Sequence, residues 1–133
     1  MSTFRKVTDK LSVSPQITKE DIAAAAAEGF KTVICNRPDG EEPGMPLSSE
    51  IKEAAAAAGL DYVYLPFSGF PPADIITRQR DLIDAAEAPV LAYCRSGTRS
   101  VTTWALGKTD ADDRRNAVQA AANAGYDLSS LLI

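Results

Sequence analysis

The sequence predicts a single α/β domain over residues 1–133, with a mainly parallel central sheet flanked by helices. One pattern occurs twice, over residues 23–35 and 54–65: an alanine-rich helix, a glycine, a bulky residue and a strand. Strand–helix–strand units at about 30-residue spacing are typical of a parallel sheet with crossover helices. The strands at 33–35 and 90–93 are almost continuously apolar, as expected when helices cover both faces of a sheet.

Capping residues mark the helix boundaries. Gly29 and Gly59 follow the two alanine-rich helices and can adopt the left-handed conformation that ends a helix. Ser48 is the predicted N-cap of the second of these helices. Capping-box spacing occurs at Thr18 with Asp21 and at Thr109 with Asp112.

The remaining elements follow from the apolar periodicity and from the loops between them. Their predicted order is a third helix over 74–85, a strand over 89–93, a helix from Arg99 or Ser100 through Leu106, a final helix over 110–124, and a tail over 126–133 that docks on the core.

Composition excludes several classes of function. The net charge of −4 argues against a general nucleic-acid-binding protein. No apolar run approaches the roughly 20 residues that a membrane-spanning helix needs, so we expect no membrane partner. Residues 1–10 lack the apolar core of a signal peptide, which predicts a cytoplasmic protein.

The chain has two cysteines, Cys35 and Cys94, and no histidine. This composition makes neither a disulfide framework nor a zinc site, and we expect no metal and no cofactor. Without histidine, Ser-His and Cys-His catalysis are excluded, so a nucleophile must be activated by other means.

The segment Cys94-Arg95-Ser96-Gly97-Thr98-Arg99 is the predicted catalytic loop. It joins a buried strand to the next helix, so its N–H groups can converge on an anion at the helix N-terminus. Gly97 permits the positive φ that such a loop needs. Arg99 can clamp an oxyanion with two nitrogens, and Arg95 adds positive potential. The same field stabilises the thiolate form of Cys94.

Two further side chains bear on this loop. Ser100 is expected to donate a hydrogen bond to the sulfur or to a bound anion. The alternative for Cys94 is a small buried hydrophobe at a strand end, which the two arginines, glycine and hydroxyls after it disfavour. Cys35 also ends an apolar strand and is interpreted as structural; the alternative is a resolving thiol near Cys94.

A proline- and glycine-rich loop over 36–46 leaves a strand at its carboxyl end, the edge where open α/β sheets carry their binding crevice. In one interpretation Arg37 or Asp39 lines the mouth of the Cys94 pocket. In the other, the 37–42 stretch is a polar turn with solvated charges. Asp39 could in addition supply a catalytic acid.

The segment from Tyr93 to Ser100 resembles a rhodanese active-site loop and also a shortened cysteine-phosphatase loop. The wider chain resembles the phosphatase-like domain of the bacterial beta-lactamase hydrolase-like proteins. The matching residues are Gln16 after the strand at 11–14, the segments 29–34, 36–41 and 58–62, the loop 94–100, and Trp104-Ala105-Leu106.

The resemblance implies a fold similar to that of dual-specificity phosphatases. Some members of the family resemble fusions to a metallo-β-lactamase-type sulfur dioxygenase. The resemblance therefore implies a separate enzyme of that kind as a partner for this chain.

Three features bear on the reaction. Four residues separate Cys94 from Arg99, whereas cysteine phosphatases resemble one another in having five. The loop before the active-site strand offers Asp74 as its only candidate general acid, and a first-turn helix residue is the simpler interpretation of it. Tyr93 stands where phosphatases usually have histidine.

These features favour a sulfurtransferase as the first interpretation. Cys94 would take sulfane sulfur from a small anionic donor as a persulfide, and a thiol or cyanide acceptor would remove it. The alternative is a phosphatase that hydrolyses a phosphate ester through a phosphocysteine at Cys94. A third interpretation is a binding module for phosphate or sulfate without catalysis.

Overall fold

The computed structural model describes residues 4–132, which form five strands, five α-helices and a terminal 3₁₀ turn. The order along the chain is β1 Arg5–Thr8, β2 Leu11–Ser14, α1 Lys19–Ala27, β3 Thr32–Cys35, α2 Ser48–Ala57, β4 Asp61–Tyr64, α3 Ala73–Ala85, β5 Val90–Tyr93, α4 Thr98–Leu106, α5 Ala111–Asn123 and the turn Ser129–Leu132.

The five strands form one sheet in the order β1-β2-β5-β3-β4. Strand β1 pairs antiparallel with β2, and every other pairing is parallel. The predicted α/β fold with a mainly parallel sheet is therefore confirmed. The edge strand β1 was not predicted, because its sequence is polar and half-exposed.

Helices cover both faces of the sheet. Alternate strand residues point to opposite faces: Val33 and Leu91 belong to the core beneath α1 and α2, whereas Ile34 and Ala92 belong to the core beneath α3, α4 and α5. In the central pair Cys35 lies opposite Tyr93, so β3 and β5 end side by side. The loops that follow β3 and β5 therefore lie at the same edge of the sheet.

The predicted helix starts are right at one helix and shifted by a residue or two at the other four; α3, predicted from residue 74, starts at Ala73. Thr18 caps α1 in the predicted capping box with Asp21. Helix α2 has Leu47 at the N-cap position, with Ser48 as its first helical residue. Helix α4 starts at Thr98, one residue before the predicted range.

The last helix is capped by a carboxylate. Asp110, and not Thr109, occupies the N-cap of α5, where its side chain accepts from the N–H groups of Asp112 and Asp113. Beyond α5, Tyr126 and Leu128 join the core, so the tail docks as predicted over the described residues. Ile133 lies outside them. None of the helices within residues 4–132 is both long and apolar enough to cross a membrane.

Candidate active site

Cys94 directly follows β5 at the carboxyl edge of the sheet. Its N–H donates to the Ser14 carbonyl across 3.3 Å, which extends the pairing between β5 and β2 by one residue. The side chain is 1% exposed. The nucleophile predicted from the sequence is thus buried at the carboxyl edge of the sheet, and the backbone bond to Ser14 anchors it there.

The loop after Cys94 turns back on the sulfur. Gly97 has φ +98°, in the left-handed region that glycine favours, and stands at the N-cap of α4. Its N–H donates to the Cys94 Sγ across 3.1 Å. A backbone donor on the sulfur stabilises its anionic form, as does the helix N-terminus that follows.

Three hydroxyl groups surround this turn. Ser96 Oγ and Thr98 Oγ1 lie 3.0 Å apart, and Ser96 Oγ also accepts from the Thr98 N–H. Ser100 is fully buried in the first turn of α4, and its Oγ has no hydrogen-bond partner within residues 4–132. A buried hydroxyl without a partner is unfavourable by about 1–3 kcal/mol, which leaves Ser100 free to bond a ligand.

A buried amide chain supports the start of α4 from below. Asn36, at the end of β3, donates to the Gln79 side chain across 2.9 Å. Gln79 in turn donates to the Ser100 carbonyl across 3.1 Å. Because these side chains are fully buried, they fix α4 relative to the sheet.

Arg99 is engaged with a carboxylate that was not predicted. Its two terminal nitrogens donate to the two oxygens of Glu41 at 2.7 Å each, and Nη1 also donates to the Phe67 carbonyl at 2.9 Å. Cys94 also contributes, after Glu41, to raising the pKa of Arg99, so the guanidinium lies near the sulfur. The pair of bonds from Arg99 to Glu41 is the two-pronged geometry that an arginine offers to a carboxylate or a phosphate.

Arg37 forms the floor of the same cluster. It is 3% exposed and donates through Nε to Glu41 at 2.8 Å and through Nη1 to Gln16 at 3.0 Å. Its Nη2 lies 3.1 Å from Glu42, and that carboxylate also meets Arg95 Nε at 2.7 Å. Three arginines therefore face two glutamates around the Cys94 loop, and positive charge remains in excess.

Glu41 stays ionised in this setting. The Arg99 guanidinium, followed by Arg37, holds the pKa of the Glu41 carboxyl below its usual range. A sequence signal for Glu41 and Glu42 existed: they follow Arg37 in the loop at the same sheet edge, and clustered arginines need counter-charges. Which loop side chains turn inward could not be read from the sequence.

The two predicted acid candidates lie elsewhere. Asp39 accepts from the backbone N–H and the hydroxyl of Ser48, both at 2.7 Å, and so holds the start of α2. Asp74 is exposed in the first turn of α3. The structure thus groups Arg37, Arg95 and Arg99 with Cys94, but it does not bring Asp39 or Asp74 into their hydrogen bonds.

Cys35 has the surroundings of a structural thiol. It is buried, and its Sγ donates to the Arg37 carbonyl across 3.3 Å. It packs under α1 and α2 with Tyr62 and Tyr93, whose hydroxyls lie 2.7 Å apart. Burial raises the pKa of the Cys35 thiol, so it is a poor partner for thiol exchange.

An open cavity of about 270 Å³ lies beside Arg99, which forms part of its wall. Phe70, which is 71% exposed, and the buried Phe67 line it on the side of the loop before α3. Thr98 and Thr102 line it on the α4 side. Among residues 4–132 no cluster of three or more potential metal ligands is present.

Comparison with known proteins places this site in a family. Residues 3–111 match the profile of the beta-lactamase hydrolase-like protein, phosphatase-like domain. A beta-lactamase hydrolase-like protein of Agrobacterium fabrum is 42% identical over 105 residues, which is 77% of this chain but 24% of that protein. One from Xylella fastidiosa is 36% identical over 126 residues, which is 92% of this chain and 29% of that protein. The chain thus spans less than a third of the length of these relatives.

Solved structures agree on the fold. A proposed phosphatase from Neisseria meningitidis superposes with a TM-score of 0.82 at 35% identity, covering 99% of this chain and 95% of that one. PTPMT1, in complex with PI(5)P, superposes with a TM-score of 0.75 at 17% identity, covering 98% of this chain and 90% of that one. The kinase-associated phosphatase KAP gives 0.68 at 12%, covering 92% and 82%.

The last two likenesses show a shared fold of cysteine phosphatases, and the predicted similarity to that fold is confirmed. The profile match over residues 3–111, which is more than half of the chain, shows that the chain belongs to the family of beta-lactamase hydrolase-like phosphatase-like domains.

Proposed function

We propose that the protein is a cysteine-dependent phosphatase that hydrolyses a phosphate monoester through a phosphocysteine at Cys94. The observation that carries the proposal is the pairing of Arg99 with Glu41. Arg99 presents two nitrogens, 2.7 Å from two carboxylate oxygens, close to a sulfur that already accepts a backbone N–H. Two phosphate oxygens fit the same fork.

The first step is attack of the Cys94 thiolate on phosphorus. The S–P bond forms as the P–O bond to the alcohol breaks, and the oxygen leaves as an anion that takes its proton from solvent. Arg99 and the N–H groups at the start of α4 bind the non-bridging oxygens, whose negative charge they stabilise in the transition state. Arg99 must exchange the Glu41 carboxylate for phosphate oxygens to do so.

The second step returns the enzyme to its starting state. Water attacks phosphorus, the S–P bond breaks, and inorganic phosphate leaves while the thiolate re-forms and a proton passes to solvent or to a nearby carboxylate. The Ser100 hydroxyl, which has no hydrogen-bond partner among the described residues, is the group we propose to stabilise the departing thiolate or the bound phosphate.

The proton needed by the leaving group restricts the substrate. Asp39 holds α2 and Asp74 is exposed on α3, so neither is a carboxylic acid hydrogen-bonded within the loop cluster. An aryl oxide leaves without full protonation, whereas an alkoxide does not. We therefore expect esters with good leaving groups to be hydrolysed best, with the cavity beside Phe70 and Arg99 receiving the apolar part.

Sulfur transfer is the second candidate, and one observation favours it. The loop has four residues between Cys94 and Arg99, which leaves less room for a tetrahedral phosphoryl group than for one sulfur atom. In that reaction Cys94 attacks the sulfane sulfur of a donor such as thiosulfate, sulfite leaves without needing a proton, and a thiol acceptor removes the sulfur. The fold of the solved neighbours favours the phosphatase.

Steady-state assays of both activities separate the two candidates. The wild-type protein and Cys94→Ser would be assayed for phosphate release from an aryl phosphate and for thiocyanate formation from thiosulfate and cyanide. We expect Cys94-dependent phosphate release that exceeds thiocyanate formation. Cys94-dependent thiocyanate formation without phosphate release would contradict the proposal and favour sulfur transfer.

We further propose a cytoplasmic location and a separate metallo-β-lactamase-type sulfur dioxygenase as a partner. The support for the partner is the family, because the related proteins are several times longer than the part this chain matches. Co-purification of the two proteins from cells would test the partnership.

A further inference from the structure

The Ser96–Gly97 peptide is held at both of its polar ends. Tyr126 Oη donates to the Ser96 carbonyl across 2.9 Å, and the Gly97 N–H donates to the Cys94 Sγ across 3.1 Å. The C=O and N–H of one trans peptide lie in a single plane and point in opposite directions. Fixing the carbonyl therefore fixes the direction of the N–H that reaches the sulfur.

Tyr126 is itself rigidly placed. Its N–H donates to Ala121 O across 2.8 Å, in the turn that ends α5. Arg5 packs over its ring, with the guanidinium carbon 5.5 Å from the ring centre, and also donates to Ala124 O across 3.2 Å. The side chain is 8% exposed. Burial raises the pKa of Tyr126, so its hydroxyl keeps its proton at neutral pH and remains a donor.

The fit between Tyr126 and the loop leaves no space at residue 97. A Cβ added to Gly97 would collide with the Tyr126 hydroxyl, in addition to the strain that φ +98° imposes on other residues. The glycine therefore serves two purposes at once: it allows the turn, and it lets the tyrosine approach the peptide whose N–H meets Cys94.

We propose that Tyr126 is a positioning residue, which keeps the Gly97 N–H directed at the Cys94 sulfur and so stabilises negative charge on that sulfur. Without the hydroxyl, the Ser96–Gly97 peptide is free to rotate about the bonds on either side of it. The Ser96 carbonyl oxygen can then turn toward the sulfur, where its partial negative charge disfavours a thiolate. The inference rests on Cys94 being the nucleophile of the proposed phosphatase, and it assigns a role to a residue beyond the 3–111 match.

The variant Tyr126→Phe tests this by removing one oxygen atom. The rate of Cys94 alkylation by iodoacetamide would be followed against pH, with mass spectrometry of the Cys94 peptide as the readout. Loss of a hydrogen bond to a charged group is strong enough to move the midpoint of this profile upward by about one pH unit. Below the midpoint, the rate of alkylation would then fall by about tenfold. An unchanged midpoint in the folded variant would overturn the proposal.

Tyr62→Phe is the matched control. It removes a hydroxyl that lies 2.7 Å from the hydroxyl of Tyr93, on the side of the sheet that α1 and α2 cover. A general loss of packing would move both profiles, whereas the proposed positioning moves only that of Tyr126→Phe. Equal shifts in the two variants would contradict the inference.

A measurement on the wild-type protein avoids any dependence on the variant's folding. The ¹⁵N and ¹H shifts of the Gly97 amide should titrate with the same midpoint as Cys94 alkylation. A Gly97 amide that does not respond to ionisation of Cys94 would overturn the proposal. Neither readout needs turnover, so absence of phosphatase activity refutes the proposed function and leaves this test intact.

Discussion

Replacement of Glu41 by glutamine separates two effects that the structure combines in one carboxylate. Glu41 accepts three hydrogen bonds, two from Arg99 and one from the buried Arg37. It also occupies the Arg99 fork, which the proposed function assigns to a substrate phosphate. We therefore expect Glu41→Gln to weaken the fold and, at the same time, to strengthen anion binding.

The loss of stability can be sized from these contacts. A glutamine retains one acceptor oxygen but places an NH₂ group against a guanidinium, so at least one charged hydrogen bond is lost. Such a bond contributes about 1.5–3 kcal/mol, and the partial exposure of Glu41 reduces this toward the lower half of the range. We expect about 2 kcal/mol, or a fall in Tm of about 5–10 °C.

The dependence on pH gives the sign of the effect. The pKa of Glu41 is lower in the folded protein than its ordinary value of 4.5, with Arg99 as the main cause. The stabilisation is therefore complete above that ordinary value and is lost as pH falls through the lower, folded value. The difference between wild type and Glu41→Gln should be constant near neutral pH and should shrink in acid.

Urea unfolding at a series of pH values measures the first effect, and protection of Cys94 from alkylation by inorganic phosphate measures the second. We expect phosphate to protect Glu41→Gln at about tenfold lower concentration than wild type. Glu53→Gln, an exposed change on α2, is the control. Equal stability and equal protection in wild type and Glu41→Gln would refute the assignment of Glu41 as the carboxylate that occupies the Arg99 fork.

Three further variants test other parts of the site. Arg99→Lys keeps the charge but loses the planar fork, so kcat/KM for an aryl phosphate should fall by about 10²–10³-fold; unchanged kinetics would mean that Arg99 does not bind the reacting anion. Asp74→Asn should change the rates of aryl and alkyl ester hydrolysis less than threefold; a loss of about 10²–10⁴-fold with the alkyl ester would instead make Asp74 the general acid. Cys35→Ser should retain activity, with a small loss of stability seen in thermal unfolding, since Cys35 lies under α1 and α2; loss of turnover in the folded variant would support a resolving thiol.

Much of the fold could be predicted because its signals are local. The alanine-rich helices, the glycines after them and the apolar strands each have a pattern within ten residues, and the parallel topology follows from their alternation. The edge strand β1 lacked such a pattern. The starts of α2 and α5 were shifted, because at both places a neighbouring residue takes the N-cap position.

The turn that brings the Gly97 N–H to the Cys94 sulfur could be anticipated for the same reason, since Cys94 to Arg99 are contiguous, and its catalytic role stays a prediction. The side chains that complete it are distant in the sequence. Glu41 meets Arg99 across 58 positions, and Tyr126 meets Ser96 across 30. Such contacts depend on how the 36–46 loop folds inward and where the tail docks, and neither has a local signature.

Trapping the covalent intermediate on Cys94 is the most direct test of the proposed chemistry. The wild-type protein would be mixed with an aryl phosphate, quenched in acid within the first turnovers and digested, and the Cys94 peptide would be weighed by mass spectrometry. The same protein would be incubated separately with thiosulfate. With the aryl phosphate we expect Cys94 to gain the mass of one phosphoryl group, and we expect no such gain in Cys94→Ser. With thiosulfate we expect no persulfide on Cys94 that passes its sulfur to an acceptor. A gain of one sulfur from thiosulfate, with no phosphoryl group on Cys94 at any time point, would contradict the phosphatase and establish the persulfide.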